Sequence, residues 1–191
     1  MRVLVLNILF TIKLKVQMKK VFRKVAIVAI ALVTMSVAVN AQEKGDMAAG
    51  GNLVLGSGDS FTNFGIGAKF QYNATNPLRL EGSFTYFLKK DYLTMWDLSV
   101  NGHWLFPVAD KITVYPLAGL GILNYGYDYS IDLGEYGSYG SSGSTSDIAF
   151  NLGGGIDYKL TDKLTLNAEL KYKISNTWDR LLLSAGLAYK F

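Results

Sequence analysis

From residue 42 onward the chain shows no sustained 3.6-residue periodicity, whereas apolar and polar residues alternate in short runs separated by turn-forming residues. That pattern predicts strands arranged as a meander. Eight are expected, over residues 47–55, 64–72, 78–88, 95–106, 112–123, 148–160, 164–174 and 181–191. The seventh shows the principle most clearly: Leu164, Leu166, Ala168, Leu170, Tyr172 and Ile174 share one face, and Thr165, Asn167, Glu169, Lys171 and Lys173 share the other. The eighth repeats it, with Leu181, Leu183, Ala185, Leu187, Tyr189 and Phe191 on the apolar side. The fourth sets Trp96, Leu98, Val100, Gly102, Trp104 and Phe106 against Asp97, Ser99, Asn101, His103 and Leu105.

The connectors alternate in length. Those at 73–77, 107–111 and 161–163 are compact, while the four that begin near Gly56, Lys89, Asn124 and Ser175 are longer, the third running to about Asp147. Short turns on one side and long loops on the other are the arrangement of a barrel inserted in a membrane from the short-turn side. An even strand count then leaves both chain ends on that side.

Alternation alone does not say which face points outward, because a soluble lipocalin-like barrel places its apolar set inside and its charges in water. Two features favour lipid on the outside. No charged residue falls on the apolar face of any of the eight strands, and Arg or Lys at the lipid midplane costs ~2–4 kcal/mol. Aromatic residues on that face also gather near the strand ends. Phe70, Tyr72, Trp104, Phe106, Tyr158, Tyr189 and Phe191 lie toward the compact turns, and Phe64, Tyr86, Trp96 and Tyr172 toward the long loops. Such belts mark membrane interfaces. The expected fold is therefore all-β: an eight-stranded antiparallel up-and-down transmembrane β-barrel.

The formal charge of +4 changes meaning once its distribution is seen. Arg2, Lys13, Lys15, Lys19, Lys20, Arg23 and Lys24 precede residue 42 with no acid among them, and without these seven the charge is −3. The rest of the chain has no basic footprint for nucleic acid, which is excluded as a partner. From Met18 the sequence reads MKKVFRK, then an apolar run over residues 25–39, then Val39-Asn40-Ala41. This is the pattern of an export signal cut after Ala41, and its apolar run falls short of the ~20 residues that cross hydrocarbon as a helix. Residues 1–41 are thus read as an N-terminal extension and signal peptide, with Met18 as the expected start, and residues 42–191 as one barrel domain. With no cysteine in the chain, disulfide staples, thiol catalysis and cysteine metal sites are excluded together.

The signal pattern, the eight alternating strands and the terminal Leu187-Ala188-Tyr189-Lys190-Phe191 resemble the OmpA/OmpX-like family of small outer-membrane β-barrels. The run VYPLAGLG over residues 114–121 is similar to the fifth strand of the small barrels of Bacteroidetes-type bacteria. The resemblance covers essentially all of 42–191. It implies a Gram-negative outer-membrane location, lipid as the surrounding medium, a monomer, and a C-terminal signal for the barrel-assembly machinery carried by Leu187, Tyr189 and Phe191. Two-domain members continue into a peptidoglycan-binding domain. This sequence ends at the barrel, so no peptidoglycan anchor is expected.

By parity the interior receives Lys69, Arg79, Glu81, Asp97, Asn101, His103, Asn151, Asp157, Lys159, Asn167, Glu169, Lys171, Lys173 and Lys190. Eight strands enclose space only for side chains, so these charges are expected to pair and fill the lumen rather than line a wide pore. A narrow ion channel remains an alternative. A lipid A-modifying or other outer-membrane enzyme is a second one, but the chain has a single histidine and His103-Trp104-Leu105 lacks the His-x-Ser of lipid A deacylases. His103 reads as an interior histidine, and no catalytic residue, cofactor or metal site is expected. Gly119 with Gly121, and Gly153 to Gly155, lack the strand-to-helix setting of a phosphate loop and read as relief of crowding in the wall.

The third loop departs from what a barrel needs. It carries Tyr125, Tyr127, Tyr129, Tyr136 and Tyr139 among Gly and Ser, with Asp128, Asp132 and Glu135 interspersed. Tyrosine offers large contact area at small entropy cost and Ser/Gly adapt, the mixture of binding loops. The acids do not follow calcium-loop spacing. The sequence therefore points to a structural or surface-contact, adhesion-like role in the envelope, with an extracellular ligand at this loop.

Overall fold

A computed structural model of the chain describes residues 44–58, 61–90, 93–132 and 138–191. The export segment with its cut after Ala41, and Tyr136 and Glu135 of the third loop, lie outside the described residues. The strands are β1 (Met47–Gly58), β2 (Phe61–Asn73), β3 (Leu78–Lys90), β4 (Leu93–Trp104), β5 (Phe106–Ala109), β6 (Ile112–Asp132), β7 (Ser138–Lys159), β8 (Leu164–Ser175) and β9 (Arg180–Lys190). Every pairing is antiparallel. The sheet order β4-β3-β2-β1-β9-β8-β7-β6-β5 closes on itself because β4 also pairs with β6. The result is an eight-stranded barrel with one extra short strand, and the described residues contain no helix.

The burial alternation along each strand settles which face is out. Leu53 is 67% exposed, and Phe64, Val100, Phe150 and Leu183 are exposed with it, whereas Lys69, Glu81, His103 and Lys173 are buried. An apolar exterior around a charged interior is stable only in lipid, which removes the lipocalin-like alternative. Phe70, Trp104, Tyr158, Tyr189 and Phe191 stay exposed at the turn end, and Phe64, Tyr86 and Tyr172 toward the other.

Phe106 departs from the predicted face. The fourth strand was expected to run unbroken to it with its ring in lipid, but β4 ends at Trp104 and Phe106 is only 5% exposed. Pro116 of β6 falls opposite this interruption, between the His103↔Leu117 and Phe106↔Val114 pairs, and proline offers no N–H to the ladder. Leu105 turns the other way, its N–H donating to the Pro77 carbonyl at 2.7 Å. Alternation breaks there, and two consecutive side chains, Leu105 and Phe106, are buried.

The third loop is the larger correction. The segment expected as a loop over 124–147 is an antiparallel ribbon, paired from Asn124↔Ser146 to Asp132↔Ser138. It makes β6 21 and β7 22 residues long. β4 accompanies β6 only as far as Leu93↔Tyr127, and β8 accompanies β7 only from Ala149↔Ser175, so the ribbon rises beyond the barrel rim. Its base is tied to the neighbouring connector, where the Thr177 N–H donates to Asp147 Oδ2 at 3.1 Å.

At the turn end, Gly45 has φ +93°, a conformation that favours glycine, and its N–H donates to the Asn73 carbonyl at 2.9 Å. In the wall, a Cβ on Gly119 would collide with the Val100 carbonyl oxygen, and one on Gly155 would lie 2.6 Å from the Tyr115 ring. These glycines let strands and a large interior ring approach closely.

Candidate functional site

The lumen can be read down its axis from the cross-strand register. At the ribbon end Val54, Phe87, Met95, Leu123, Tyr125 and Leu182 form one buried apolar cluster. Arg180 clasps it, with its guanidinium 4.7 Å from the Phe87 ring centre, one N–H donated to Met95 Sδ at 3.1 Å and another to Asn63 Oδ1. Below it Lys173 pairs with Asp97 and donates to Ser99 Oγ at 2.9 Å, and Ser99 donates to Asp97 Oδ1 at 2.7 Å. The next layer joins Asn151 Nδ2 to Asn101 Oδ1 at 2.8 Å.

The central cluster is a charge lattice. Lys69 Nζ donates to Asn167 Oδ1 at 2.6 Å and lies 3.4 Å from Glu169 and 3.9 Å from Glu81. Lys171 lies 3.5 Å from the other Glu169 oxygen, Gln71 donates to Glu81 at 2.8 Å, and the Tyr115 hydroxyl donates to Glu169 at 3.0 Å. Arg79 meets Asp157 at 2.6 Å, donates to His103 Nδ1 at 3.0 Å and lies 4.7 Å above the Tyr115 ring. His103 stacks on Tyr115 with ring centres 4.7 Å apart. Leu105, Tyr115 and Leu117 then form a second apolar cluster.

One group in this lattice has the composition of a metal site: a nitrogen of His103 and carboxylate oxygens of Glu81 and Glu169 lie within 4.8 Å of one another. Its hydrogen bonds argue against that use. A histidine that binds a metal through one nitrogen donates the other N–H to an acceptor, but here Arg79 places its own donors on Nδ1. In the neutral ring, Nε2 therefore carries the proton and has no lone pair for an ion. Both carboxylates are already held by Lys69, Lys171, Gln71 and Tyr115. His103 is 0% exposed, and among the described residues no hydroxyl is hydrogen-bonded to its ring.

Of the interior residues expected from parity, Lys69, Arg79, Glu81, Asp97, His103, Asp157, Glu169, Lys171 and Lys173 are buried in this lattice. Lys159 is half-buried at the turn end, where it lines a shallow recess with Asp46, Gln71 and Asn73. Lys190 sits at the same mouth, 2.7 Å from Asp46. Sequence reasoning missed Arg180, because the last strand was started one residue late; extending its parity back from Leu182 would have turned Arg180 inward. It also passed over Tyr115, which lies on the inward parity of the 112–123 strand.

The tyrosines separate. Tyr125 does not belong to an outer loop: β6 continues through it, its inward parity holds, and it is 8% exposed with its ring 5.1 Å from Trp178. Tyr127 is on the ribbon and 49% exposed. Tyr129 and Tyr139 occupy ribbon positions, paired with Ser141 and Ile131. Leu187, Tyr189 and Phe191 are exposed on the apolar face of the last strand and its end.

A closed barrel with a polar filling and an apolar outer wall matches one family description over residues 26–191: outer membrane protein beta-barrel domain. The chain belongs to that family. It is an integral outer-membrane protein, and its wall is bathed in lipid. No curated protein sequence matches it. Among solved structures it is similar to Neisserial surface protein A, with 19% identity, 76% of this chain and 96% of that chain covered, and a TM-score of 0.60. It is similar also to Ail, the attachment invasion locus protein of Yersinia pestis, at 19% identity, with 78% and 99% covered and a TM-score of 0.55. Ail in complex with the heparin analogue sucrose octasulfate gives 18% identity, the same two coverages and a TM-score of 0.54. At these identities the likeness speaks for the fold.

Proposed function

We propose that the chain is a non-catalytic surface-contact protein, in which the barrel anchors and the β6–β7 ribbon meets the partner. The ribbon carries this reading. It is a paired two-stranded extension that the closed wall does not need, rich in Tyr, Ser and Gly, and it stands at the end opposite the chain terminus. In the orientation usual for such barrels, the compact turns and both termini face the periplasm and the ribbon faces out. The attachment role in the name of Ail accords with this reading.

Residues 1–41 serve as the export segment, the mature chain begins at Gln42, and Leu187, Tyr189 and Phe191 present the assembly machinery with alternating apolar side chains on an exposed edge. The lattice and its two apolar clusters serve to close the barrel, leaving it to work as a monomer without a conducting path.

The test is removal of the ribbon. Residues 127–145 are replaced by Asn-Gly, and adhesion of cells carrying either form to epithelial monolayers is compared, with folding checked by heat-modifiable gel mobility. At least a ten-fold loss of adhesion with the barrel intact is expected. Adhesion unchanged by the deletion would refute the surface-contact role.

A further inference from the structure

The outer mouth of the barrel carries aromatic surface that neither the wall nor the charge lattice uses. Leu123, Tyr125 and Tyr127 follow one another on the inward parity of β6, paired with Asp147, Thr145 and Gly143 of β7. Leu123 and Tyr125 are buried in the apolar cluster at the outer end of the lumen, while Tyr127, one step above them, is 49% exposed. Trp178 approaches from the connector 176–179, its ring 5.1 Å from Tyr125 and nearly perpendicular to it. That contact sets Trp178 over the lumen rather than in the lipid belt, and the residue stays 38% exposed.

Both rings are held in place. A Cβ on Gly143 would lie 2.6 Å from Tyr127 Cζ, so the tip of the ring takes the space of a side chain at 143 and a larger residue there would displace it. The Trp178 N–H donates to Ser175 Oγ at 3.1 Å, and that hydroxyl donates to the Trp178 carbonyl at 2.8 Å. Asp179 accepts from the Ser175 N–H and the Tyr172 hydroxyl, and Asp147 Oδ2 accepts from the Thr177 N–H. These bonds fix an exposed indole before any ligand arrives, which lowers the ordering cost of binding.

Size and charge narrow the ligand. At these exposures the two residues offer roughly 130–220 Å², taking ~150–250 Å² for each aromatic side chain. A standard protein interface buries ~800 Å² per partner, so the patch suits a small group. Residues 124–148 and 174–179 contain Asp128, Asp132, Glu135, Asp147 and Asp179 and no lysine or arginine, which disfavours sulfated or carboxylated ligands. A cation would need ring faces around it, but Tyr125 and Trp178 close edge-on against each other and Tyr127 leans on Gly143. Both oxygens of Asp179 are also engaged. An open ring face bordered by acceptors suits an uncharged sugar, whose C–H groups stack on the negative face of the ring while its hydroxyls donate to carboxylate oxygens. Asp147 Oδ1, which accepts no hydrogen bond among the described residues, and the exposed Thr145 hydroxyl border the rings.

Resting on the surface-contact reading above, we propose that the mouth binds the end of an uncharged glycan, a neutral hexose that stacks on Tyr127 and Trp178 and donates to Asp147. One such contact is weak, and adhesion gains its strength from many copies acting together.

Full-length protein in lipid nanodiscs would be titrated with lactose and maltose, and with sialyllactose, a heparin oligosaccharide and tetramethylammonium as charged probes, read by saturation-transfer NMR and indole fluorescence. Millimolar binding of lactose, maltose or both is expected, with saturation concentrated on the sugar C–H protons and at least five-fold weaker binding of every charged probe. Trp178→Ala and Tyr127→Ala should each weaken sugar binding at least five-fold, and Trp178→Phe should stay within about two-fold. Gly143→Val, which displaces the Tyr127 ring without removing it, should act like Tyr127→Ala. Heat-modifiable gel mobility checks that each variant folds. Absence of binding by both sugars, alanine variants that bind like the parent, or preference for a charged probe would each overturn the proposal. If ribbon deletion abolishes cell adhesion but neither sugar binds, surface contact stands and glycan recognition falls; if deletion has no effect, the broader role fails first.

Discussion

Replacing Arg79 with methionine tests how the interior is held together. Arg79 pairs with Asp157 at 2.6 Å, donates to His103 Nδ1 and covers the Tyr115 ring, and both members of the pair are buried. Methionine preserves much of the stem's bulk, so the dominant loss is electrostatic. Lys69 and Lys171 lie against Glu169, and Lys69 also against Glu81, but among the described residues no other cation is paired with Asp157. Leaving a buried charge without its partner costs about 3–5 kcal/mol, whereas replacing both members by apolar residues of similar volume is often neutral. Arg79→Met should therefore destabilise the barrel by about 3–5 kcal/mol, and Arg79→Met with Asp157→Leu should recover most of that loss. Urea unfolding in phospholipid vesicles, followed by the fluorescence of Trp96, Trp104 and Trp178, reads both values. A single variant within about 1 kcal/mol of the parent, or a double variant that loses the sum of its singles, would refute the reasoning.

Other expected outcomes come from the walls and the outer cluster. Leu53→Arg, on the lipid face, should cost about 2–4 kcal/mol in the same assay, while Thr145→Arg on the ribbon should change stability by less than about 0.5 kcal/mol. Gly119→Val pushes a branched side chain against the β4 backbone and should cost about 1–3 kcal/mol or prevent assembly, seen as loss of heat-modifiable mobility. Phe87→Ala removes the ring beneath Arg180 and should cost about 3–5 kcal/mol. Planar-bilayer recording should find the parent silent, and Phe87→Ala with Met95→Ala and Leu123→Ala conducting; a conducting parent would show that the apolar cluster does not seal the lumen.

Parity carried most of the fold. Because side chains alternate strictly, the charges of the 164–174 segment had to face the opposite way from its leucines, and closure of the barrel turned that face into the lumen. The pattern failed where a backbone property overrode it. Pro116 interrupts pairing with the fourth strand, and Phe106 is buried although its parity points to lipid. The ribbon was hidden for another reason: Tyr, Ser and Gly spell a loop as readily as an exposed strand, and its pairing comes from hairpin connection to two strong strands rather than from propensity. Tyr125 followed from the same miss, since a strand that continues keeps its inward parity. Which charges pair was beyond the sequence, because alternation gives a face and not a height in the lumen.

The claim on which everything else depends is that the apolar face meets lipid and the polar face fills the lumen. The chain lacks cysteine, so single-cysteine variants at Leu53, Val100, Ser99 and Asn151 can each carry an environment-sensitive bimane probe in vesicles of brominated lipid. Strong quenching at Leu53 and Val100 with none at Ser99 and Asn151 is the expected result. Quenching at Ser99 and Asn151, or the absence of quenching at all four, would contradict a lipid-embedded barrel with a charged interior.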